Sequence, residues 1–262
     1  MTVPSSSAAP ATGGEGDVVL QLREVTRSFG GKEAVRAVTL DIRRGLTTVL
    51  LGESGGGKST LLRLMAGLLL PDAGEIRFEG ARLTGENAPA LRRRMGFVLQ
   101  SGGLFPHLTA ADNVTLLARA LHRPRDWQDR RLEELARVVQ LEPEMLRRWP
   151  GQLSGGQRQR VSLMRAVMLI PSVVLLDEPL GALDPVTRGE LQRELRRVFT
   201  TLGTTVVLVT HDLEEAAFLG DRVALLHDGR LAQLGTMEEL AAHPADPWVA
   251  RFLGGWRGGP AR

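Results

Sequence analysis

Apolar residues in this chain fall into short unbroken runs, and between those runs they recur every three or four positions. Six runs have the length of strands: Val18–Val25, Val38–Ile42, Leu46–Gly52, Gly96–Gln100, Val173–Asp177 and Val206–Thr210. The last four carry little polar alternation, the pattern of strands covered on both faces. Helical stretches separate them, so a parallel sheet is expected. The first two are expected to pair as an antiparallel piece. Helical spacing occurs at Leu61, Leu62, Met65, Leu68 and Leu69. It recurs at Leu132, Leu135, Val138 and Val139, and at Val161, Met164, Val167 and Met168. Residues 222–235 read as a hairpin turning at Asp228-Gly229. The expected fold is α/β, with a mainly parallel core sheet, an antiparallel β subdomain and a helical subdomain inserted at about residues 101–165.

Composition narrows the class. The 262 residues are 43% apolar and 24% charged, an ordinary mixture for a folded globular chain, which excludes wholesale disorder. No apolar run approaches the roughly 18 residues of a transmembrane helix. Without cysteine there is no disulfide framework and no thiolate metal site, and a cytosolic protein is the default. The first residues have neither a basic nor an apolar segment of a secretory signal. Residues 1–16 are expected to be a disordered tail, 17–253 the folded domain and 254–262 a flexible tail. The pI near 10.3 overstates the positive field, because net charge is only +3. Of the 33 basic residues 31 are arginine, which holds its proton to very high pH. Even the densest cluster, Arg92 to Arg94, reads as a solvated helix face, so no nucleic-acid partner is expected.

One of the two lysines, Lys58, stands in the run Gly52, Glu53, Ser54, Gly55, Gly56, Gly57, Lys58, Ser59, Thr60. That run fits G-x-x-x-x-G-K-[ST] between a buried strand and a helix, the context of a phosphate-binding P-loop. Glycines let backbone N–H groups converge on an anion, and the helix N-terminus adds its positive end. Lys58 supplies a compact ammonium, and Ser59 a hydroxyl suited to Mg²⁺. Asp177 and Glu178 emerge at the carboxyl end of another strand, where open α/β sheets hold their ligands. Asp177 can hold Mg²⁺ through its water shell, and Glu178 is placed to polarise an attacking water.

A second glycine-rich run, Leu153, Ser154, Gly155, Gly156 and Gln157, opens an amphipathic helix with Ser154 as the expected N-cap. This LSGGQ run, followed by Arg-Gln-Arg and set beside the P-loop, resembles the signature of the ATP-binding cassette (ABC) family, a class of P-loop NTPases. The resemblance covers about residues 18–253. It implies catalytic roles for Gln100, also a Mg²⁺ ligand, and for His211 as the switch histidine. It also implies a D-loop at Asp184. The family stacks an aromatic ring on adenine, and in a chain without tyrosine Phe29 is the best-placed candidate.

The resemblance further implies an ATPase using ATP and Mg²⁺. Two copies would pack head to tail, the signature of one closing over the nucleotide of the other. Separate transmembrane permease subunits would form the pore, fed by a solute-binding protein, with this chain peripheral on the cytoplasmic face of the membrane. A stand-alone subunit resembles importers more than exporters. Residues 100–114, 181–188 and 243–255 look like the ATPases of osmoprotectant importers, which carry glycine betaine, carnitine or choline. Polyamine, iron or sulfonate importers are the alternatives, as is a soluble ABC ATPase of DNA repair. The short helical insert and the absence of cysteine speak against the last. The absence of an Asn-Lys-x-Asp segment speaks against a P-loop GTPase.

Overall fold

The computed structural model describes residues 18–100, 102–181, 185–254 and 256, the side chains of 185–187 excepted. The tail expected at 1–16, Asp184, and all of 254–262 except Gly254 and Trp256 lie outside the described residues.

Strands β1 (Val18–Phe29) and β2 (Lys32–Arg43) form a long antiparallel pair. After β3 (Thr47–Leu51) and helix α1 (Lys58–Met65), strand β4 (Ala73–Phe78) returns to pair with β1, and β5 (Ala81–Arg82) completes a sheet of order β2-β1-β4-β5. The chain then runs through α2 (Ala88–Arg92), β6 (Met95–Val98), α3 (Ala110–Ala120), α4 (Arg125–Val138), α5 (Gly155–Val167) and β7 (Val173–Asp177). It closes with α6 (Pro185–Leu202), β8 (Thr205–Thr210), α7 (Leu213–Leu219), β9 (Arg222–His227), β10 (Arg230–Gly235), α8 (Met237–Ala242) and α9 (Pro247–Leu253). The second sheet has order β10-β9-β3-β8-β7-β6; its strands pair parallel except β10, which turns back on β9 through Asp228 and Gly229, both at positive φ.

Alternation along the central strands sorts their side chains to two faces. Leu50, Val173, Leu175, Val207, Val209, Ala224 and Leu226 face α1 and the antiparallel sheet. Val49, Leu51, Val174, Leu176, Val206, Leu208, Val223 and Leu225 face the helical side. Helix α1 is too short to hold itself in water. Burial of Leu61, Leu62, Leu64 and Met65 between the two sheets secures it, each contributing about 1.5–3 kcal/mol.

One helix stops earlier than its apolar spacing suggests. The stretch after the P-loop ends at Met65, where Gly67 takes φ +63°. The N–H of Leu68 bonds the Arg63 carbonyl at 2.9 Å and that of Gly67 bonds Leu64 at 3.0 Å, a Schellman closure. Leu68 is left 52% exposed. Helix α4 ends the same way: Gln140 at φ +50° lets Leu141 N–H reach the Ala136 carbonyl at 2.9 Å. A separate 3₁₀ turn follows at Pro143–Arg147. The Arg92–Arg94 cluster is also less free than a solvated face. Arg92 donates to the Gly67 carbonyl at 2.6 Å, and Arg94 pairs with Glu79 over the Phe78 ring.

Candidate nucleotide site

The P-loop leaves β3 at its carboxyl end and enters α1. Its glycines are required by crowding as much as by turning. A Cβ on Gly52 would stand 2.2 Å from the Leu226 carbonyl oxygen, and one on Gly57 would stand 2.2 Å from that of Ala34. Gly57, at φ +91°, precedes a helix with no side-chain cap and no acid in its first turn. The first N–H groups of that helix have no partner within it and point at the loop. Lys58, only 4% exposed, folds back so that Nζ donates to the carbonyls of Gly52 at 2.8 Å and Glu53 at 2.7 Å. Burial pushes its ammonium below the ordinary lysine range, against the opposing pull of Glu178, Asp177 and Glu53.

Two carboxylates, an amide and an imidazole from the ends of three further strands converge here. Ser59 Oγ donates to Asp177 Oδ1 at 2.7 Å, and Arg63 lies 4.0 Å from the other Asp177 oxygen. Glu178 follows β7 at φ +44°, a left-handed conformation that costs a non-glycine residue about 1–3 kcal/mol. Its N–H is held by the Val209 carbonyl at 3.1 Å. Gln100, past the end of β6, donates Nε2–H to Glu178 Oε2 at 3.0 Å. His211, just after β8, has Nδ1 at 3.6 Å from Glu178 Oε1.

A cavity of about 250 Å³ is lined by Ala34, Ser54, Gly55, Gly57, Lys58, Ser59, Thr60 and Glu178. A second of about 240 Å³ shares Ala34 and Gly55 with it and reaches Phe29, Lys32, Asp228 and Gly229. Phe29 is 46% exposed, with the Arg27 guanidinium 5.0 Å from its ring centroid. Ala34 is the residue that sequence reasoning missed. Nothing in its neighbourhood marks it, because it meets the loop only through the antiparallel sheet.

The second glycine-rich run is built as expected locally. Ser154 caps α5, its Oγ accepting from Gln157 N–H at 3.2 Å, while Gln157 Oε1 accepts from Ser154 N–H at 2.9 Å. Leu153 is buried and Ser154 exposed. None of Leu153, Ser154, Gly155, Gly156 or Gln157 lines either cavity. Further along the same helix, Arg165 donates to the carbonyls of Gly103 at 2.7 Å and Gly102 at 2.9 Å, tying the segment after Gln100 to α5.

Comparison with known proteins fits this geometry. Residues 35–181 match the family model described as ABC transporter. The chain is 40% identical over 237 residues to the glycine betaine/carnitine/choline transport ATP-binding protein OpuCA of Bacillus subtilis, covering 90% of this chain and 62% of that protein. It is 46% identical over 241 residues to the sulfate/thiosulfate import ATP-binding protein CysA of Caulobacter vibrioides, covering 90% of this chain and 70% of the relative. The dimeric post-hydrolysis structure of the ATP-binding cassette MJ0796 bound to ADP and Pi superposes with a TM-score of 0.74 at 33% identity, over 83% of this chain and 98% of that one. The chain thus spans 62% of the length of OpuCA and nearly all of an isolated cassette. On this match and this loop geometry, the chain belongs to the ABC transporter family, as an ATP-binding cassette.

Proposed function

We propose that this chain hydrolyses ATP as the motor subunit of a membrane importer, and that the imported solute is a quaternary-amine osmoprotectant such as glycine betaine or choline. The observation that carries the hydrolytic part is the convergence of Lys58, Ser59, Asp177, Glu178, Gln100 and His211 from separate elements around one loop. Lys58 and the α1 N-terminus bind the phosphates, where preorganised dipoles stabilise developing charge. Glu178 is the general base, held by Gln100 and faced by His211. Phe29 stacks on the base in the adjoining cavity.

The donor set fits Mg²⁺, since Ser59 Oγ and Asp177 Oδ1 are hard oxygens already 2.7 Å apart; Ser59 and Gln100 would hold the ion directly and Asp177 through its water shell. When bound, the ion would neutralise charge on the phosphate oxygens. None of the signature residues lines either cavity of its own chain, and a second copy is proposed to supply them in a head-to-tail homodimer of closed symmetry. That the MJ0796 cassette is dimeric supports a dimer here. Asp184 is proposed to lie at the same dimer seam. No helix among the described residues is long and apolar enough to cross a membrane. Separate permease subunits are therefore proposed to form the pore, and a solute-binding protein to deliver the solute. The chain would sit peripherally on the cytoplasmic face.

The osmoprotectant reading is supported by residues 100–114, 181–188 and 243–255 and by the similarity to OpuCA. Sulfate import is the second reading, favoured by the 46% identity to CysA. Uptake of labelled glycine betaine, choline and sulfate at high osmolarity, in cells with and without the gene, decides between them. Loss of quaternary-amine uptake is expected. Loss of sulfate uptake alone would replace the first reading by the second.

A further inference from the structure

Among the described residues, Glu215 on α7 is the most buried carboxylate, 4% exposed. It lies under the turn that presents His211. Thr210 Oγ1 donates to Glu215 Oε2 at 2.6 Å and accepts from Asp212 N–H at 3.1 Å, so this hydroxyl bridges both arms of the turn. Asp212 in turn caps α7, accepting from the N–H groups of Glu214 at 2.8 Å and Glu215 at 3.0 Å. The other carboxyl oxygen, Glu215 Oε1, is buried without a hydrogen-bond partner. Glu215 borders a cavity of about 10 Å³ lined also by Glu178, Leu180, Gly181, Arg188, Thr210, His211 and Asp212. A space of that size holds about one water.

The charged and titratable groups facing Glu215 are Asp212 from its own helix start, His211 from the turn, Arg188 from α6 and Glu178 from the end of β7. Burial dominates and pushes the carboxyl up to about 7. Asp212 adds to that rise, while the Thr210 hydrogen bond, Arg188 and His211 oppose it. A neutral carboxyl satisfies the site, accepting from Thr210 on Oε2 and donating from Oε1–H into the small cavity. An ionised one is a buried anion beside Asp212 and Glu178.

We propose that Glu215 is a positioning residue which, through Thr210, fixes His211 toward Glu178, and that its ionisation, which puts a buried anion beside Asp212 and Glu178, loosens this turn. The proposal rests on Glu178 and His211 acting in hydrolysis. The sign follows from a folded-state value above the unfolded one. The contribution is complete in acid and is lost as pH rises through about 7.

The test is steady-state ATPase activity of wild type, Glu215→Gln and Thr210→Val between about pH 6 and about pH 8.5. Glutamine mimics the neutral acid, so Glu215→Gln is expected to keep kcat within about twofold of wild type on the acid side and to lose part of the alkaline decline. Thr210→Val keeps the bulk but not the hydroxyl. It is expected to lower kcat about tenfold with KM for ATP within about twofold, the mark of misplacement rather than lost binding. A Glu215 carboxyl signal titrating near neutrality in ¹³C NMR of the nucleotide-free protein is the readout that does not depend on turnover. An active wild type whose alkaline limb is reproduced unchanged by Glu215→Gln, or a Thr210→Val protein with normal kcat, overturns the proposal alone. A wild type inactive at every pH overturns the hydrolytic reading and this proposal with it.

Discussion

Replacing Lys58 by methionine separates the fold of the loop from its chemistry. Methionine is unbranched, of similar length and a good helix former, so it can occupy the same slot without its charge. Two terms oppose each other in stability. The mutant loses two charge-assisted hydrogen bonds to the Gly52 and Glu53 carbonyls, at 2.8 and 2.7 Å, worth about 1.5–3 kcal/mol each. It also escapes the cost of holding an ammonium that is 4% exposed, an effective penalty of several kcal/mol. The net change in folding stability is therefore expected to stay under about 2 kcal/mol, which limits the shift in Tm to about 4–8 °C. In binding, two of the three Lys58 N–H groups stay with the Gly52 and Glu53 carbonyls and one is left for phosphate. One charge-assisted contact at about 1.5–3 kcal/mol corresponds to about 10–10² in Kd. Lys58→Arg keeps the charge but brings a wider planar fork into the same slot, and is expected to fail as well. Thermal melts followed by circular dichroism, with calorimetric titration of ATP, measure both halves. A folded Lys58→Met protein binding ATP within about threefold of wild type would refute the assignment of this ammonium to phosphate. A protein that no longer folds would refute the balance of terms.

Two further outcomes follow from the same geometry. Glu178→Gln is nearly isosteric and should leave ATP binding intact while cutting hydrolysis by about 10²–10⁴-fold, with the ATP-bound dimer accumulating; near-normal single-turnover rates in the purified mutant would remove Glu178 from the role of base. A Ser154→Arg subunit and a Lys58→Ala subunit should each be inactive as homodimers, yet recover one working composite site when mixed; verified heterodimers without activity would argue against the head-to-tail arrangement.

Features that depend on residues close together in sequence were legible before any coordinates. The alternation of strand and helix gave the mainly parallel sheet, and Asp228-Gly229 marked the hairpin because a turn of that hand needs positive φ at both positions. Ser154 and Gln157 stand three apart, the distance at which each side chain reaches the other's backbone N–H. The early end of α1 has a local cause too. Gly67 was in plain view, but apolar residues continued past it and periodicity alone cannot weigh a left-handed closure against another helical turn.

Contacts between distant segments could not be read that way. Neither the order β10-β9-β3-β8-β7-β6 nor the second sheet laid over α1 is written in any window of ten or twenty residues. Yet that order brings the Leu226 carbonyl against Gly52, and the overlying sheet brings the Ala34 carbonyl against Gly57. Gln100, Glu178 and His211 each end or follow a different strand and meet because β6, β7 and β8 lie side by side and parallel, with their carboxyl ends at one edge. Glu215 looks in sequence like any acid in the first turn of a helix, next to Glu214, which is exposed. Packing of α7 against β3 and α6 buried one and left the other in water. Backbone propensity and periodicity act over a few residues. Which carbonyl crowds which glycine, and which carboxylate loses its water, depends on how whole strands and helices stack.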